Sequence, residues 1–298
     1  MKHGSIAVLN HLKFLSQIII AVLLFFVFLL IEQNFCKRDF DILKFDARYE
    51  IDKKTMYSVN ERIPKKPILL MGCSFMYGYG LESEGNPAYL LAWQTGLPVI
   101  NRSEPGYGIQ HMLYQLKRDD FYDEVREPEY CIFLFIDEHV IRLFQKATWW
   151  PEGVQYLRYK EKGDDFAEDN TIFYSLYRLY IPNRLQYLLA KHRSNADFNK
   201  NFNLIKKYFL CAKNEAREHW KDTKFVIIVY QRDKNLFCDT SRWKELEDDG
   251  FQIIYLKDIN NGRRATKKDC LDDGFHPNGE FWKRVIPNLV KKLDLEEN

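Results

Sequence analysis

Two segments of the sequence are apolar at nearly every position, and they constrain the fold more than any other feature. They read YCIFLFI at Tyr130–Ile136 and KFVIIVY at Lys224–Tyr230. A strand with one solvated face alternates apolar and polar residues. A strand that is apolar throughout is buried on both faces, as in a parallel sheet covered by helices. Three further runs are apolar strand candidates: Pro67–Met71, Leu97–Asn101 and Phe251–Leu256.

Helical patterns separate or follow these runs. The helical segments are Pro87–Thr95, Ile109–Phe121, about 201–221 and Gly279–Leu293. Alternating strands and helices are typical of an α/β fold, so the sequence predicts a doubly wound parallel five-stranded sheet. Pro287 predicts a kink in the last helix. Ligands of such sheets bind beyond the carboxyl ends of the strands, so the residues after each strand are the place to look for a site.

The N-terminal region has a different character. Phe14–Ile31 reads FLSQIIIAVLLFFVFLLI, and roughly 17 to 18 residues can cross a bilayer as a helix. We expect one transmembrane helix at about 14–31. The following residues, EQNFCKRDF, offer no small-x-small cleavage site, which disfavours a cleaved signal peptide. A helix buried in a soluble protein is a further alternative, disfavoured because no polar face interrupts the run.

The charges around this span give little information on its orientation. Lys2 and Lys13 precede it, and Lys37 and Arg38 follow it, so the positive-inside rule is nearly balanced. Short N-terminal anchors usually place the larger C-terminal part outside, and we expect an extracytoplasmic domain tethered to the membrane. The chain is thus divided into an anchor at 1–36, a linker at 37–66 and a main domain at 67–298.

A long insertion separates the third and fourth predicted strands. It spans about 140–222, far more than one crossover helix needs. It is rich in aromatic residues, among them Trp149, Trp150 and Tyr156. These side chains either pack as a small cap on the sheet or form a stacking surface for sugar rings.

Charge and cysteine spacing exclude several classes of function. The formal net charge is +2 and no basic tract is present, so we expect no nucleic-acid partner. None of the six cysteines belongs to a CxxC pair, so the sequence does not indicate a zinc ribbon or a redox motif. An outward-facing domain could form one disulfide, which spacing alone does not identify.

The end of the first predicted strand, PILLMGCSFMYGYG, matches none of the common glycine-rich motifs. It lacks the Gly-Lys-Ser/Thr of a phosphate-binding loop. Position 83 is serine, where a dinucleotide-binding fingerprint requires its third glycine. Met76 stands where the nucleophile elbow of α/β-hydrolases has its second glycine. Two interpretations remain for Ser74: a nucleophile on the turn that Gly72 permits, or a cap of the next helix.

A serine nucleophile needs a base, and His276 is the best candidate. It lies in DCLDDGFHPNGEFW, between the last predicted strand and the last helix, with Asp273 three residues before it. A carboxylate at that spacing can hold the imidazole tautomer while the other ring nitrogen takes the serine proton. For the oxyanion, the candidate donors are the backbone amides of Ser74 and Gly106, the latter five residues after Asn101.

These three segments together resemble the SGNH hydrolases, also called GDSL-type esterases. GCSF stands for the family's G-D-S-L, NRSEPG for its N-x-G-x-x-G block without the middle glycine, and DGFHPN for its D-x-x-H-P block. The resemblance covers about 67–295 in order. It implies a flavodoxin-like sheet and a Ser74–His276–Asp273 hydrolase that uses neither a metal nor a cofactor.

One family block departs from the pattern. After the third strand the family has G-x-N-D, whose asparagine donates to the oxyanion, whereas this chain reads FIDEHVIR. Asp137, Glu138 and His139 occupy the region, and only His139 can donate while neutral. We expect His139 to be the substitute donor. The alternative is a charged turn in which Arg142 pairs with Asp137 or Glu138.

The leading functional hypothesis is a membrane-anchored serine esterase that acts through an acyl-enzyme. The family and the anchor together suggest acyl or acetyl esters on envelope glycans or lipids as substrates. The alternatives are O-acyl transfer by the same site and a non-catalytic, membrane-tethered glycan-binding module. A metal hydrolase built from Asp137, His139, Asp273 and His276 is a more distant alternative.

Overall fold

A computed structural model describes residues 17, 56–57, 66–144, 159–162, 165–168, 188–189, 191–192, 197–231 and 240–295. Its strands form a six-stranded sheet and a separate two-stranded sheet. The strands are β1 (Met56–Tyr57), β2 (Ile68–Met71), β3 (Val99–Asn101), β4 (Tyr130–Phe135), β5 (Tyr159–Lys162), β6 (Asp165–Glu168), β7 (Lys224–Val229) and β8 (Gln252–Tyr255).

The large sheet has the order β1-β3-β2-β4-β7-β8. Five of its strands, from β3 to β8, pair in parallel, as the apolar runs predict. Their order is that of flavodoxin-like sheets, in which the chain starts inside the sheet and reverses direction beside the first strand. The sixth strand was not predicted: β1 lies within the expected linker 37–66 and pairs antiparallel with β3 at the sheet edge.

Both faces of the sheet are buried, and β4 shows this residue by residue. Cys131, Phe133 and Phe135 belong to one hydrophobic core, whereas Ile132 and Leu134 belong to the other. None of the five is more than 2% exposed. A strand that contributes to two cores must be apolar throughout, which explains the uninterrupted run in the sequence.

Nine α-helices surround the sheet in the part of the chain described. They are α1 (Ser74–Tyr77), α2 (Pro87–Thr95), α3 (Ile109–Leu116), α4 (Asp119–Glu124), α5 (Glu138–Arg142), α6 (Phe198–His219), α7 (Thr240–Asp248), α8 (Leu256–Ile259) and α9 (Gly279–Lys292). Helices α3, α6 and α7 cover one face, and α2, α8 and α9 cover the other. The helix predicted at Ile109–Phe121 is divided between α3 and α4, and α9 continues through Pro287.

The expected insertion contains one element that belongs to the main fold. Helix α6 is the crossover before β7, and its buried side chains include Phe202, Ile205 and Phe209. The β5–β6 hairpin packs on α6 through Phe166, whose ring stacks on that of Tyr208 at a centroid distance of 4.0 Å. The aromatics Trp149, Trp150 and Tyr156 lie outside the described residues.

The segment expected to span a membrane, 14–31, lies outside the described residues except for position 17. Among the helices that the structure does describe, none has the length and apolar character of a membrane span. Four cysteines fall within the described ranges, and all four are free thiols: Cys73, Cys131, Cys211 and Cys270.

Candidate active site

The turn after β2 carries Ser74. Gly72 has a φ angle of 153°, which residues with a side chain rarely adopt, and it turns the chain after the strand. A Cβ atom at this position would lie 3.3 Å from Cβ of Met76. Ser74 is the first residue of α1, so its backbone amide is among those that have no acceptor within the helix. The serine is 5% exposed.

The end of α1 is fixed by Gly78, the second glycine in the segment PILLMGCSFMYGYG. Gly78 has a φ angle of 81°, and its amide donates to the carbonyl of Phe75 at 3.3 Å. The amide of Tyr79 donates to the carbonyl of Ser74 at 3.0 Å. These two bonds form a Schellman motif. The stretch Tyr77–Gly80 thus ends the helix and fixes the backbone of Tyr79 relative to Ser74.

The loop that carries His276 is held together largely by Asn278. The side-chain amide of Asn278 donates to the carbonyls of Lys268 and Cys270 at 3.0 and 3.2 Å. Its side-chain oxygen accepts from the amide of Phe281 at 2.9 Å and caps α9. The same residue therefore orders the loop and starts the helix that follows it.

Within this loop, Asp273 is oriented by backbone hydrogen bonds. Its Oδ1 atom accepts from the amides of Phe275 and His276 at 2.8 and 3.0 Å. The amide of Leu271 donates to the carbonyl of His276 at 2.8 Å, which closes the loop. These bonds leave Oδ2 of Asp273 directed at the imidazole of His276.

Ser74, His276 and Asp273 form one hydrogen-bonded chain. Oγ of Ser74 lies 2.9 Å from Nε2 of His276, and Nδ1 of His276 lies 2.5 Å from Oδ2 of Asp273. With the serine hydroxyl donating to Nε2, the Nδ1–H group donates to the carboxylate. The serine and the histidine are 202 positions apart in the sequence, and the two loops that carry them meet at the carboxyl edge of the sheet.

The carboxylate of Asp273 is stabilised in its charged form. Partial burial raises the pKa of Asp273, but the hydrogen bonds from the ring of His276 and from the amides of Phe275 and His276 outweigh it. The pKa of Asp273 therefore lies below its usual value. An ionised Asp273 favours the tautomer in which Nε2 is the proton acceptor.

Three aromatic rings surround the imidazole of His276. The rings of Phe75 and Phe275 contact it edge-on at centroid distances of 5.4 and 5.1 Å. The ring of Tyr79 lies 4.9 Å away at an interplanar angle of 42°. The side chain of His276 is 13% exposed, so the rings limit the access of water to the imidazole while leaving part of it open.

The loop after β3, which carries Gly106, is tied to the turn that carries Ser74. The amide of Glu104 donates to the carbonyl of Gly72 at 3.3 Å, and Nδ2 of Asn101 donates to the carbonyl of Met76 at 3.0 Å. Gly106 has a φ angle of 84°, which a glycine accommodates without strain. The structure thus brings the loop of the candidate oxyanion donor to the serine turn.

His139 is placed elsewhere, and its expected role as an oxyanion donor is not supported. It is 0% exposed, and its ring lies 5.3 and 5.5 Å from those of Phe133 and Phe135 in the core. Its Nδ1 atom accepts from the amide of Ile136 at 3.4 Å. Burial is the main reason that the pKa of His139 lies well below its usual value. No atom of this side chain is open to a substrate.

In the alternative interpretation of the third block, Arg142 pairs with Asp137 or Glu138 in a charged turn, and that pairing stays a prediction. Arg142 donates to the carbonyl of Tyr107 at 2.5 Å, so it joins α5 to the loop after β3. Within the described ranges, no group of three or more His, Cys, Asp or Glu side chains is arranged to hold a metal ion.

The sequence patterns did not identify two residues that help to form this site, Tyr79 and Asn278. Tyr79 lies beside His276, and the signal for it was an aromatic residue between two glycines directly after the serine turn. Asn278 orders the histidine loop, and its signal was an asparagine immediately before the last helical pattern, where N-caps occur.

Comparisons with known proteins give similarity in solved structures only. No protein-family model matches the chain, and no curated protein matches it. A lipolytic protein of the G-D-S-L family from Desulfitobacterium hafniense, described as putative, is 8% identical, with 76% of this chain and 99% of that chain covered and a TM-score of 0.45.

Two further solved structures have a similar extent of overlap. A member of the lipolytic protein G-D-S-L family from Veillonella parvula is 10% identical, with 76% and 97% of the two chains covered and a TM-score of 0.44. A family 3 carbohydrate esterase from Clostridium thermocellum is 10% identical, with 77% and 97% covered and a TM-score of 0.42. At these levels the similarities assign no function.

Proposed function

We propose that this protein is a serine esterase that cleaves an acyl or acetyl ester through an acyl-enzyme, with Ser74 as nucleophile, His276 as base and acid, and Asp273 as the orienting carboxylate. The observation that carries the proposal is the chain of hydrogen bonds from Ser74 through His276 to Asp273, at 2.9 and 2.5 Å. A serine hydroxyl becomes a useful nucleophile only beside such an oriented base.

The steps follow from the positions of the three side chains. Nε2 of His276 removes the hydroxyl proton as Oγ of Ser74 bonds to the ester carbon. The ester C–O bond then breaks, and the proton on Nε2 goes to the departing alcohol. In the second half-reaction, a water molecule attacks the acyl carbon while Nε2 of His276 takes its proton. The proton then returns to Oγ of Ser74 as the acid leaves, which restores the serine. Asp273 stays ionised throughout and stabilises the imidazolium.

The negative charge that develops on the ester oxygen requires hydrogen-bond donors. The amide of Ser74 at the start of α1 and the amide of Gly106 are the proposed donors, the second because its loop is bonded to the serine turn. Each such donor contributes on the order of 10² to 10³ in kcat in a serine hydrolase. With His139 in the core, this site relies on backbone amides.

The substrate and the location are parts of the same proposal. We take the substrate to be an acylated or acetylated glycan or lipid of the cell envelope. The apolar segment 14–31 is proposed to tether the protein to the membrane, with the catalytic domain on the extracytoplasmic side. What supports this is the hydropathy of that segment and the absence of a cleavage motif after it.

O-acyl transfer is the second candidate. The acyl-enzyme does not distinguish a water molecule from a sugar hydroxyl as the attacking group, and the partly exposed His276 can activate either one. Product analysis with and without an acceptor glycan separates the two reactions. A non-catalytic glycan-binding module is the third candidate, motivated by the irregular third block, and would show carbohydrate affinity without a reactive serine.

The test is labelling of the full chain, in detergent, with a fluorophosphonate probe. The wild-type protein should react, and Ser74→Ala should not. Ser241→Ala is the matched control, because Ser241 is an exposed serine on α7, and it should react like the wild type. Labelling that persists in Ser74→Ala would remove the assignment of the nucleophile.

A further inference from the structure

The loop after β3, which carries Gly106, is bonded to α5 as well as to the serine turn. The guanidinium of Arg142, the last residue of α5, donates to the carbonyl of Tyr107 at 2.5 Å. In return, Nε2 of Gln110 on α3 donates to the carbonyl of Arg142 at 3.0 Å. The two segments also pack closely, because a Cβ atom on Gly108 would lie 3.4 Å from Cβ of Arg142. The end of α5 and this loop are therefore joined in both directions.

Gly106 lies inside a tight turn whose two ends are the points of attachment. The amide of Tyr107 donates to the carbonyl of Glu104 at 3.1 Å, and Gly106 has a φ angle of 84°. With Pro105 before the glycine, this fits a type II turn, whose third position requires a positive φ. Glu104, the first residue of the turn, donates its amide to the serine turn. Tyr107, the last residue, accepts from Arg142, so the amide of Gly106 is held between the serine turn and α5.

Two further contacts of the loop are local. Nδ1 of His111 accepts from the amide of Gly108 at 3.0 Å, and its ring stacks on that of Tyr107 at a centroid distance of 4.4 Å. These contacts join residues close together in sequence, so they maintain the shape of the loop but move with it. The bond from Arg142 comes from another element, 35 positions away, and its donor is charged, which strengthens a hydrogen bond. It fixes the position of the loop relative to α5.

Position matters here because an oxyanion donor acts through its geometry. A backbone amide stabilises the developing charge when it lies about 2.7–3.1 Å from the place that the oxyanion takes. That charge is present in the transition state and absent from the bound ester, so a displaced amide lowers kcat rather than substrate affinity. Helix α5 belongs to the third block, whose His139 is buried in the core. The block can still contribute by fixing the amide of Gly106.

We propose that Arg142 is a positioning residue of the oxyanion site: its guanidinium holds the carbonyl of Tyr107 so that the neighbouring amide of Gly106 lies where the ester oxyanion forms. Arg142 acts through this loop and not by contact with the substrate. The inference rests on the proposed esterase function, and it gives the third block a role that differs from direct donation by a side chain.

The test uses the full chain in detergent, with p-nitrophenyl acetate as the ester. Arg142→Ala should lower kcat by about 10- to 100-fold and leave KM within about twofold, because a small displacement of a catalytic group is costly. Affinity for phenyl trifluoromethyl ketone, whose adduct with Ser74 carries an oxyanion, should fall by the same factor as kcat/KM. Guanidinium ion at millimolar concentration should restore part of the lost kcat by occupying the space of the deleted group. Sodium chloride at the same ionic strength should not.

Two further variants complete the design. Arg217→Ala removes an exposed arginine on α6 and should match the wild type in every assay, with no response to guanidinium. Arg142→Met fills much of the same space with an unbranched apolar side chain. It replaces the alanine variant if that variant does not fold, and it should lose kcat by a similar factor. The pH profile of kcat/KM, which reports His276, should keep its midpoint in both Arg142 variants.

A folded Arg142 variant with the kcat of the wild type would overturn the inference. A loss confined to KM would do the same, as would a loss of kcat without a matching loss of affinity for the ketone. A shifted pH midpoint would show that the substitution acts on His276 instead, which also overturns it. A wild type that neither hydrolyses the ester nor reacts with the fluorophosphonate would instead remove the proposed function on which the inference rests.

Discussion

Arg284 on α9 forms a salt bridge with Asp269, at the start of the loop that carries His276. The Nε atom of Arg284 also donates to Oδ1 of Asn260 at 2.8 Å. Burial raises the pKa of Asp269, but hydrogen bonds from the amide of Thr266 and from Arg284 outweigh it and hold that pKa below its usual value. The loop that carries His276 is thus anchored to the last helix by an ion pair that is mostly shielded from solvent.

Arg284→Met should loosen this loop and misplace His276. We expect a loss of about 1.5–3 kcal/mol in the free energy of unfolding, the usual value of a hydrogen bond to a charged group. Activity should fall by about tenfold or more, because small displacements of a catalytic group are costly. Chemical denaturation and ester hydrolysis measure the two effects.

The neighbouring Lys283 provides the control. It pairs with Glu280 at 2.8 Å, but the two side chains are 50% and 78% exposed, and solvent-exposed pairs of this kind contribute little to stability. Lys283→Met should therefore retain the stability and the activity of the wild type. Equal effects of the two substitutions would contradict the anchoring role of Arg284.

Asp273→Asn should reduce kcat by about 10⁴, because the amide stabilises neither the correct tautomer nor the imidazolium. It should also change the pH dependence of stability in a defined direction. The folded-state pKa of Asp273 is lowered, so its stabilising effect is present above the unfolded pKa of about 3.9 and is lost as pH falls through the folded value.

Urea denaturation at several pH values measures this difference. The wild type should exceed Asp273→Asn in stability at pH 6, and the difference should shrink as the pH falls below about 4. A difference that stays constant down to pH 2.5 would show that the ionisation of Asp273 does not contribute.

The five parallel strands could be predicted because burial on both faces requires apolar residues at most strand positions, and this pattern is visible in the sequence. Strand β1 has no such sequence pattern. Met56–Tyr57 is two residues long, sits in a charged segment and exists through its pairing with β3, which is a tertiary contact. The division between α3 and α4 at Lys117 and Arg118 likewise interrupts a run of residues whose spacing alone is consistent with one helix.

The meeting of Ser74, His276 and Asp273 could be predicted because parallel strands bring their carboxyl ends to one edge, so two loops far apart in sequence meet there. The same positional argument failed for His139. It follows the third strand in sequence, but α5 begins at Glu138, and its first turn directs the His139 side chain back over Phe133 and Phe135. Position after a strand does not determine the direction of a side chain.

Gly78→Ala should destabilise the protein more than an alanine at another glycine with a similar backbone angle. Gly78 and Gly262 have φ angles of 81° and 75°. A Cβ on Gly78 would lie 2.4 Å from Nδ2 of Asn86, whereas a Cβ on Gly262 would meet nothing within 4 Å. Both substitutions cost about 1–2 kcal/mol for the left-handed conformation, and Gly78→Ala should cost about 1–3 kcal/mol more for the overlap. Equal midpoints of urea denaturation would contradict this.

His139→Leu should leave the activity within a few-fold of the wild type, because the side chain lies in the core rather than at the substrate. A side chain that donates to the oxyanion would instead cost about 10² to 10³ in kcat when removed, so kinetics on any ester substrate decides between the two roles.

The folded-state pKa of His139 is depressed by burial, so below the unfolded pKa of about 6.5 the unfolded chain binds a proton that the folded protein excludes. The wild type should therefore lose stability relative to His139→Leu as the pH falls from 7.5 to 5.5. A stability difference that is the same at both pH values would show that His139 titrates alike in the two states and is not enclosed in the core.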